Sequence, residues 1–173
     1  MPAKKYPKSL IVIHWLTLLL LIIVFLVGLS FDDYKFNEEN MNRYRLHAIL
    51  GMTILILTLI RIYIRRKNLD RLPPHITYYS KSHRIFVQLV ISLMYVFLIF
   101  TPFVGFIMVY QTGALSYDLG GPFPVGAEFD ENLEAVHKMA VFTLLALVVI
   151  HVAGVVMYKI KTGNNLLTRM MPF

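Results

Sequence analysis

Four long apolar runs, separated by polar segments, dominate the chain: roughly Ser9 to Leu29, Leu46 to Ile64, Ile85 to Tyr110 and Ala135 to Tyr158. Each is near or above the ~20 residues needed to cross the hydrocarbon core of a bilayer. Lipid cannot satisfy backbone N–H and C=O groups, so each run must satisfy its own, as a helix. The pattern predicts an all-α, four-transmembrane-helix bundle: one integral membrane domain over residues 1–173, with helices at about 9–29, 46–64, 85–110 and 135–158.

The first run follows Lys4, Lys5 and Lys8 and has the charge pattern of a signal peptide. It is longer than the usual h-region of about 7–15 residues and has no clear small-residue cleavage site, so it is read as a retained helix. Pro73-Pro74 stops the second helix, Gly120-Gly121-Pro122 marks a turn, and Pro102 with Gly105 predicts a kink in the third. Composition agrees: 57% of residues are hydrophobic and 16% charged, against about a quarter charged in soluble domains. The absence of Cys excludes disulfides, iron–sulfur clusters and thiol chemistry.

Charge sets the expected orientation. The N-terminal segment has three Lys and no acid. The loop from Arg61 to Arg84 has seven Lys/Arg against Asp70, and the tail carries Lys159, Lys161 and Arg169. The other two loops hold Asp32, Asp33, Glu38, Glu39, Asp118, Glu128, Asp130, Glu131 and Glu134. Positive segments stay in the cytoplasm. Both termini and the middle loop are therefore expected there, in a multi-pass protein of a bacterial inner membrane. The formal charge of +7 sits beside apolar spans and points to lipid headgroups, not nucleic acid.

Four of the six His (His14, His47, His137 and His151) fall within predicted spans. Ionisable residues inside a membrane are costly and mark function. A lone His would read as an interhelical hydrogen bond; four at two depths read differently. His47 and His137 lie at the outer starts of the second and fourth helices, and His14 and His151 on the inner half. His137 and His151 are fourteen residues apart, within roughly 40° of whole turns and ~21 Å along the axis. That spacing stacks two ligands on one helix face, as two haems one above the other require. His14 and His47 close the two sites from other helices. Bis-His coordination leaves iron no open position and suits electron transfer. Zinc wants about four ligands at one point, which the depth split forbids. Proton relays normally add carboxylates, and no acid lies in a span. His75 and His83, in or beside the basic loop, read as solvated or interfacial.

Haem propionates need cations at the membrane edge. Arg61 and Arg65 are available inside, and Arg43, Arg45 and Lys138 outside; each also reads as a snorkelling residue. Gly51, one turn after His47, admits a flat macrocycle or a close helix neighbour.

The chain resembles the bacterial cytochrome b561 family over almost its whole length. The resemblance rests on His14-Trp15-Leu16, His47-Ala48-Ile49-Leu50-Gly51, Arg61, Pro102-Phe103-Val104-Gly105, the His137/His151 pair, and Leu166-Leu167-Thr168-Arg169-Met170-Met171-Pro172. It implies a di-haem four-helix bundle with haem b ligands at His14, His47, His137 and His151, and quinone as electron partner. Small members of the family include a superoxide oxidase that passes electrons to ubiquinone. The same bundle recurs as the haem-bearing membrane anchor of larger dehydrogenases and hydrogenases, which is the alternative reading. Relatives often carry His before the Pro-x-x-Gly stretch and at the inner end of the fourth helix. Here Gln88 and Ile91, and Tyr158-Lys159, stand in those regions. A quinone headgroup is expected near the inner haem, beside Lys159, Tyr158 and Trp15. Nine outer acids against Lys35, Arg43, Arg45 and Lys138 oppose long-range steering of an anion such as superoxide. The expected outer-face partner is superoxide or another redox partner.

Overall fold

A computed structural model describes residues 5–31, 38–74, 80–124 and 127–171. His75, Asp32, Asp33, Lys35 and Pro172 lie outside them, as do the side chains of Glu38 and Glu39. Five α-helices follow in order: α1 Lys8–Leu29, α2 Glu38–Lys67, α3 Lys81–Gln111, α4 Ala114–Asp118 and α5 Glu131–Thr162. Short 3-10 turns occur at Leu69–Arg71 and Leu166–Arg169. The four long helices are each long and apolar enough to cross a membrane, and the chain is a multi-pass membrane protein.

The helices α2, α3 and α5 overrun their apolar runs at both ends, since backbone hydrogen bonding continues into the polar segments, while α1 matches its run to within one residue. The ends are fixed locally. Asp130 Oδ1 accepts the N–H of Leu133 at 3.0 Å to cap α5, and Ser80 Oγ accepts that of His83 at 3.1 Å to cap α3. Gly163, at φ 74°, ends α5 in the left-handed conformation glycine tolerates. The helix α3 runs unbroken through Pro102. The segment Ala114–Asp118 folds as α4, a turn of helix that the hydrophobic pattern did not reveal.

Close backbone packing runs from α1 to α2, from α2 to α3 and from α3 to α5. Among the described residues no comparable packing joins α1 to α5. Outward faces stay apolar: Leu19, Ile22 and Leu26 on α1 and Met139, Phe142 and Val149 on α5 are exposed, as lipid contact requires. The buried centre is Ile54, Leu98 and Leu144, packed with Leu20, Leu21, Val24, Phe97 and Val148.

Candidate functional site: two histidine pairs in one bundle

A seven-residue stripe orders the interior. On α5 it reads His137, Leu144, His151; on α2, His47, Ile54, Arg61; on α1, His14, Leu21, Gly28; on α3, Leu98 and Gly105. Seven residues are two turns less about 20°, so each stripe stays on one face while descending ~10 Å per step. The apolar layer of Ile54, Leu98 and Leu144 therefore lies midway between an outer and an inner histidine level.

At the outer level the rings of His47 and His137 face each other, with centroids 6.2 Å apart and planes at 64°. Two imidazoles on opposite sides of one metal ion, each bonded at about 2.0–2.1 Å, place their ring centres roughly 6 Å apart. The donor set and its spacing thus fit a bis-imidazole centre. The Nδ1 atoms of both rings are buried and have no partner in full hydrogen-bond geometry. Each ring nevertheless adjoins a backbone carbonyl, Val24 for His47 and Thr101 for His137. Such a carbonyl is the usual orienting partner of a ligating histidine.

At the inner level His14 and His151 interact electrostatically with one another, and Arg61 with both. The Arg61 guanidinium lies over the Tyr95 ring, 5.6 Å from its centroid, which holds the charge at the bundle's edge. The fold thus brings His47 beside His137, and keeps His14, His151 and Arg61 within electrostatic range.

The supporting residues divide. Gly51 faces Pro102, whose Cβ would lie 3.9 Å from an added Cβ; this geometry supports its helix-packing reading. Arg45 donates through Nε and Nη2 to Asp118 Oδ1 at 2.6 and 2.5 Å and stands 5.3 Å from the Tyr117 ring. Lys138 pairs with Glu134, one turn back on α5, at 2.5 Å. Arg43 donates to the Ser30 carbonyl at 3.1 Å. Arg65 is exposed.

The three residues expected at a quinone do not converge. Tyr158 is buried and Lys159 exposed, because consecutive helix residues point ~100° apart. The Trp15 indole Nε1–H donates to the Met170 carbonyl at 2.6 Å, so it ties the C-terminal segment to α1. That segment also accepts the Tyr6 N–H at the Arg169 carbonyl, 3.1 Å, and Arg169 reaches the Pro74 carbonyl at 2.8 Å.

Two features escaped the sequence. An aromatic cap of Phe31, Tyr44 and Phe129 packs with Met41 and Ala114 over the outer end, with Phe31 5.4 Å from the His47 ring. Its members come from four separate segments, so no local pattern marks them. Gly28 lies against His47, and Gly105, read only as a kink residue, lies against His137. Gly28 carried one usable mark: it follows His14 by the same fourteen residues that separate His137 from His151.

A bundle of apolar helices with imidazoles paired across its interior defines a membrane-embedded b-type cytochrome. The sequence matches the prokaryotic cytochrome b561 family over residues 5–173, and the chain belongs to that family. Membership implies haem b and a role in electron transfer. The chain is also similar to a protein of Yersinia pestis named probable superoxide oxidase CybB. The two are 27% identical over 173 residues, which cover 98% of this chain and 97% of the relative.

Proposed function

We propose that this protein is a di-haem cytochrome of the bacterial inner membrane, moving electrons between an outer-face donor and the quinone pool. The observation that supports the reading is the pair His47 and His137, with ring centroids 6.2 Å apart; His14 and His151 are the second pair in this reading. Bound haem iron supplies reversible one-electron chemistry. The four histidines would each bind a haem iron, two to a haem, which would leave neither iron an open position for oxygen or another ligand. Arg61 balances propionate charge at the inner level, and Arg43 does so at the outer level. The layer of Ile54, Leu98 and Leu144 keeps water from the path between the levels.

The likeness to a probable superoxide oxidase supports superoxide as the outer donor. Two superoxide anions would each give up one electron and leave as oxygen, and one quinone would take two electrons and two protons to form the quinol. Lys159, exposed near the inner end of α5, would meet a quinone headgroup there, without Tyr158, which points into the bundle.

Purified protein should contain two haems per chain by pyridine haemochrome assay. His47→Ala and His137→Ala should each remove one redox component, and His14→Ala and His151→Ala the other. A ratio near one, or loss of the same component in His14→Ala and His47→Ala, overturns the reading. Superoxide should reduce the intact protein and ubiquinone reoxidise it; no reduction by superoxide would leave another outer-face donor in its place.

A further inference from the structure

Both outer imidazoles meet the same kind of backbone arrangement, each on its own neighbouring helix. An added Cβ on Gly28 would lie 3.0 Å from Cε1 and 3.4 Å from Nδ1 of His47. One on Gly105 would lie 3.2 Å from Cε1 and 3.5 Å from Nδ1 of His137. The carbonyl adjoining each ring belongs to the residue four before that glycine: Val24 before Gly28, Thr101 before Gly105. In an α-helix the N–H of residue i bonds the carbonyl of residue i−4. Each ring therefore lies on one backbone hydrogen bond of the opposing helix, its Nδ1–Cε1 edge where a side chain would otherwise stand. The two cradles sit on different helices, α1 and α3, and receive histidines from α2 and α5. Their match is not a consequence of one local turn.

The geometry points to Gly28 and Gly105 as positioning residues that set the planes and depth of the outer histidine pair. This assignment rests on the di-haem reading above. Neither glycine has a positive φ, so neither is required by backbone conformation. Alanine is the better helix former at both positions, so helix propensity alone favours substitution. What opposes it is the ring: at 3.0–3.2 Å the imidazole must give by a few tenths of an ångström. Such a shift moves Nε2, the remaining ring nitrogen, relative to its counterpart across the pair.

The test uses full-length Gly28→Ala and Gly105→Ala purified with haem, beside Gly154→Ala, whose added Cβ would meet nothing within 4 Å. Haem content, redox titration and the low-spin ferric electron paramagnetic resonance spectrum are measured. Gly28→Ala and Gly105→Ala should keep both haems, shift the g-values and midpoint potential of the outer component, and leave the inner component unchanged. The shift should be larger for Gly28→Ala, the tighter contact. Gly154→Ala should match wild type. An unshifted outer component in both variants, or equal shifts in both components, overturns the proposal, the second because it reports general loosening of the bundle. If Gly28→Ala does not accumulate, Gly105→Ala carries the same decision. The underlying reading fails separately: wild-type protein would then lack a component lost in both His47→Ala and His137→Ala.

Discussion

Arg43, Arg45 and Lys138 stand together in the sequence argument as cations near the outer histidines, yet the fold gives them different partners. Arg45 is held by Asp118 through two donors, and Lys138 by Glu134. An ion pair presents a dipole, not a charge, to an approaching anion, and its field falls off faster. The Arg43 bond to the Ser30 carbonyl leaves its charge uncompensated by that partner. Under the proposed superoxide reaction, Arg43→Ala should therefore lower the second-order rate by several-fold or more, and removal of the whole Lys138–Glu134 pair (Lys138→Ala with Glu134→Ala) should change it by less than twofold. Stopped-flow haem reduction by superoxide reads both; a larger loss in the double variant would place the entry path beside α5. The histidines were legible because an imidazole in an apolar run contradicts its surroundings. The Arg45–Asp118 pair, 73 residues apart in the chain, was not, since nothing local distinguishes a paired arginine from a free one. Tyr158 and Lys159 adjoin in sequence, but the helix turns one inward and the other outward.

The spans were legible at the scale of elements because length and apolar content decide membrane crossing, while their polar extensions were not, because headgroup-region turns carry no apolar signature. The short helix α4 was invisible for the same reason: five residues cannot show a period. What the helices share is the seven-residue stripe, and its middle layer is a mechanical element. Leu144 lies midway between His137 and His151 and is buried against Ile54 and Leu98. Replacing it with Ala removes packing without touching a histidine level. Leu144→Ala should lower stability by roughly 2 kcal/mol or more, seen as a lower Tm in detergent, with two haems retained and both spectra intact. Loss of one haem instead would show that the layer also shapes a haem pocket. In a bilayer this packing acts through van der Waals contact and not through exclusion of water, so the loss should persist across detergents of different headgroup.

The whole molecule is asymmetric in charge along its axis. Lys and Arg crowd the end that carries both termini and the segment between α2 and α3, while acids crowd the end that carries α4 and the start of α5. The even number of crossings lets every segment obey the positive-inside tendency at once, and the helical order α1, α2, α3, α5 requires alternate loops to share a side. The absence of cysteine makes the orientation directly measurable, because any introduced thiol is the only one. Ser116, exposed on α4 beside the outer histidine level, and Ser82, exposed in the first turn of α3, mark opposite ends. Both side chains are small and similar in size to cysteine, and neither belongs to a histidine pair. In right-side-out membrane vesicles, Ser116→Cys should react at once with a membrane-impermeant maleimide, and Ser82→Cys only after the vesicles are opened. In inverted vesicles the order should reverse. Equal labelling of both from one side would break the four-crossing topology. The opposite order would keep the bundle but invert it, placing His47 and His137 at the cytoplasmic face. A donor generated outside the cell membrane would then meet His14 and His151 first, and the proposed direction of electron flow through the two levels would have to be exchanged.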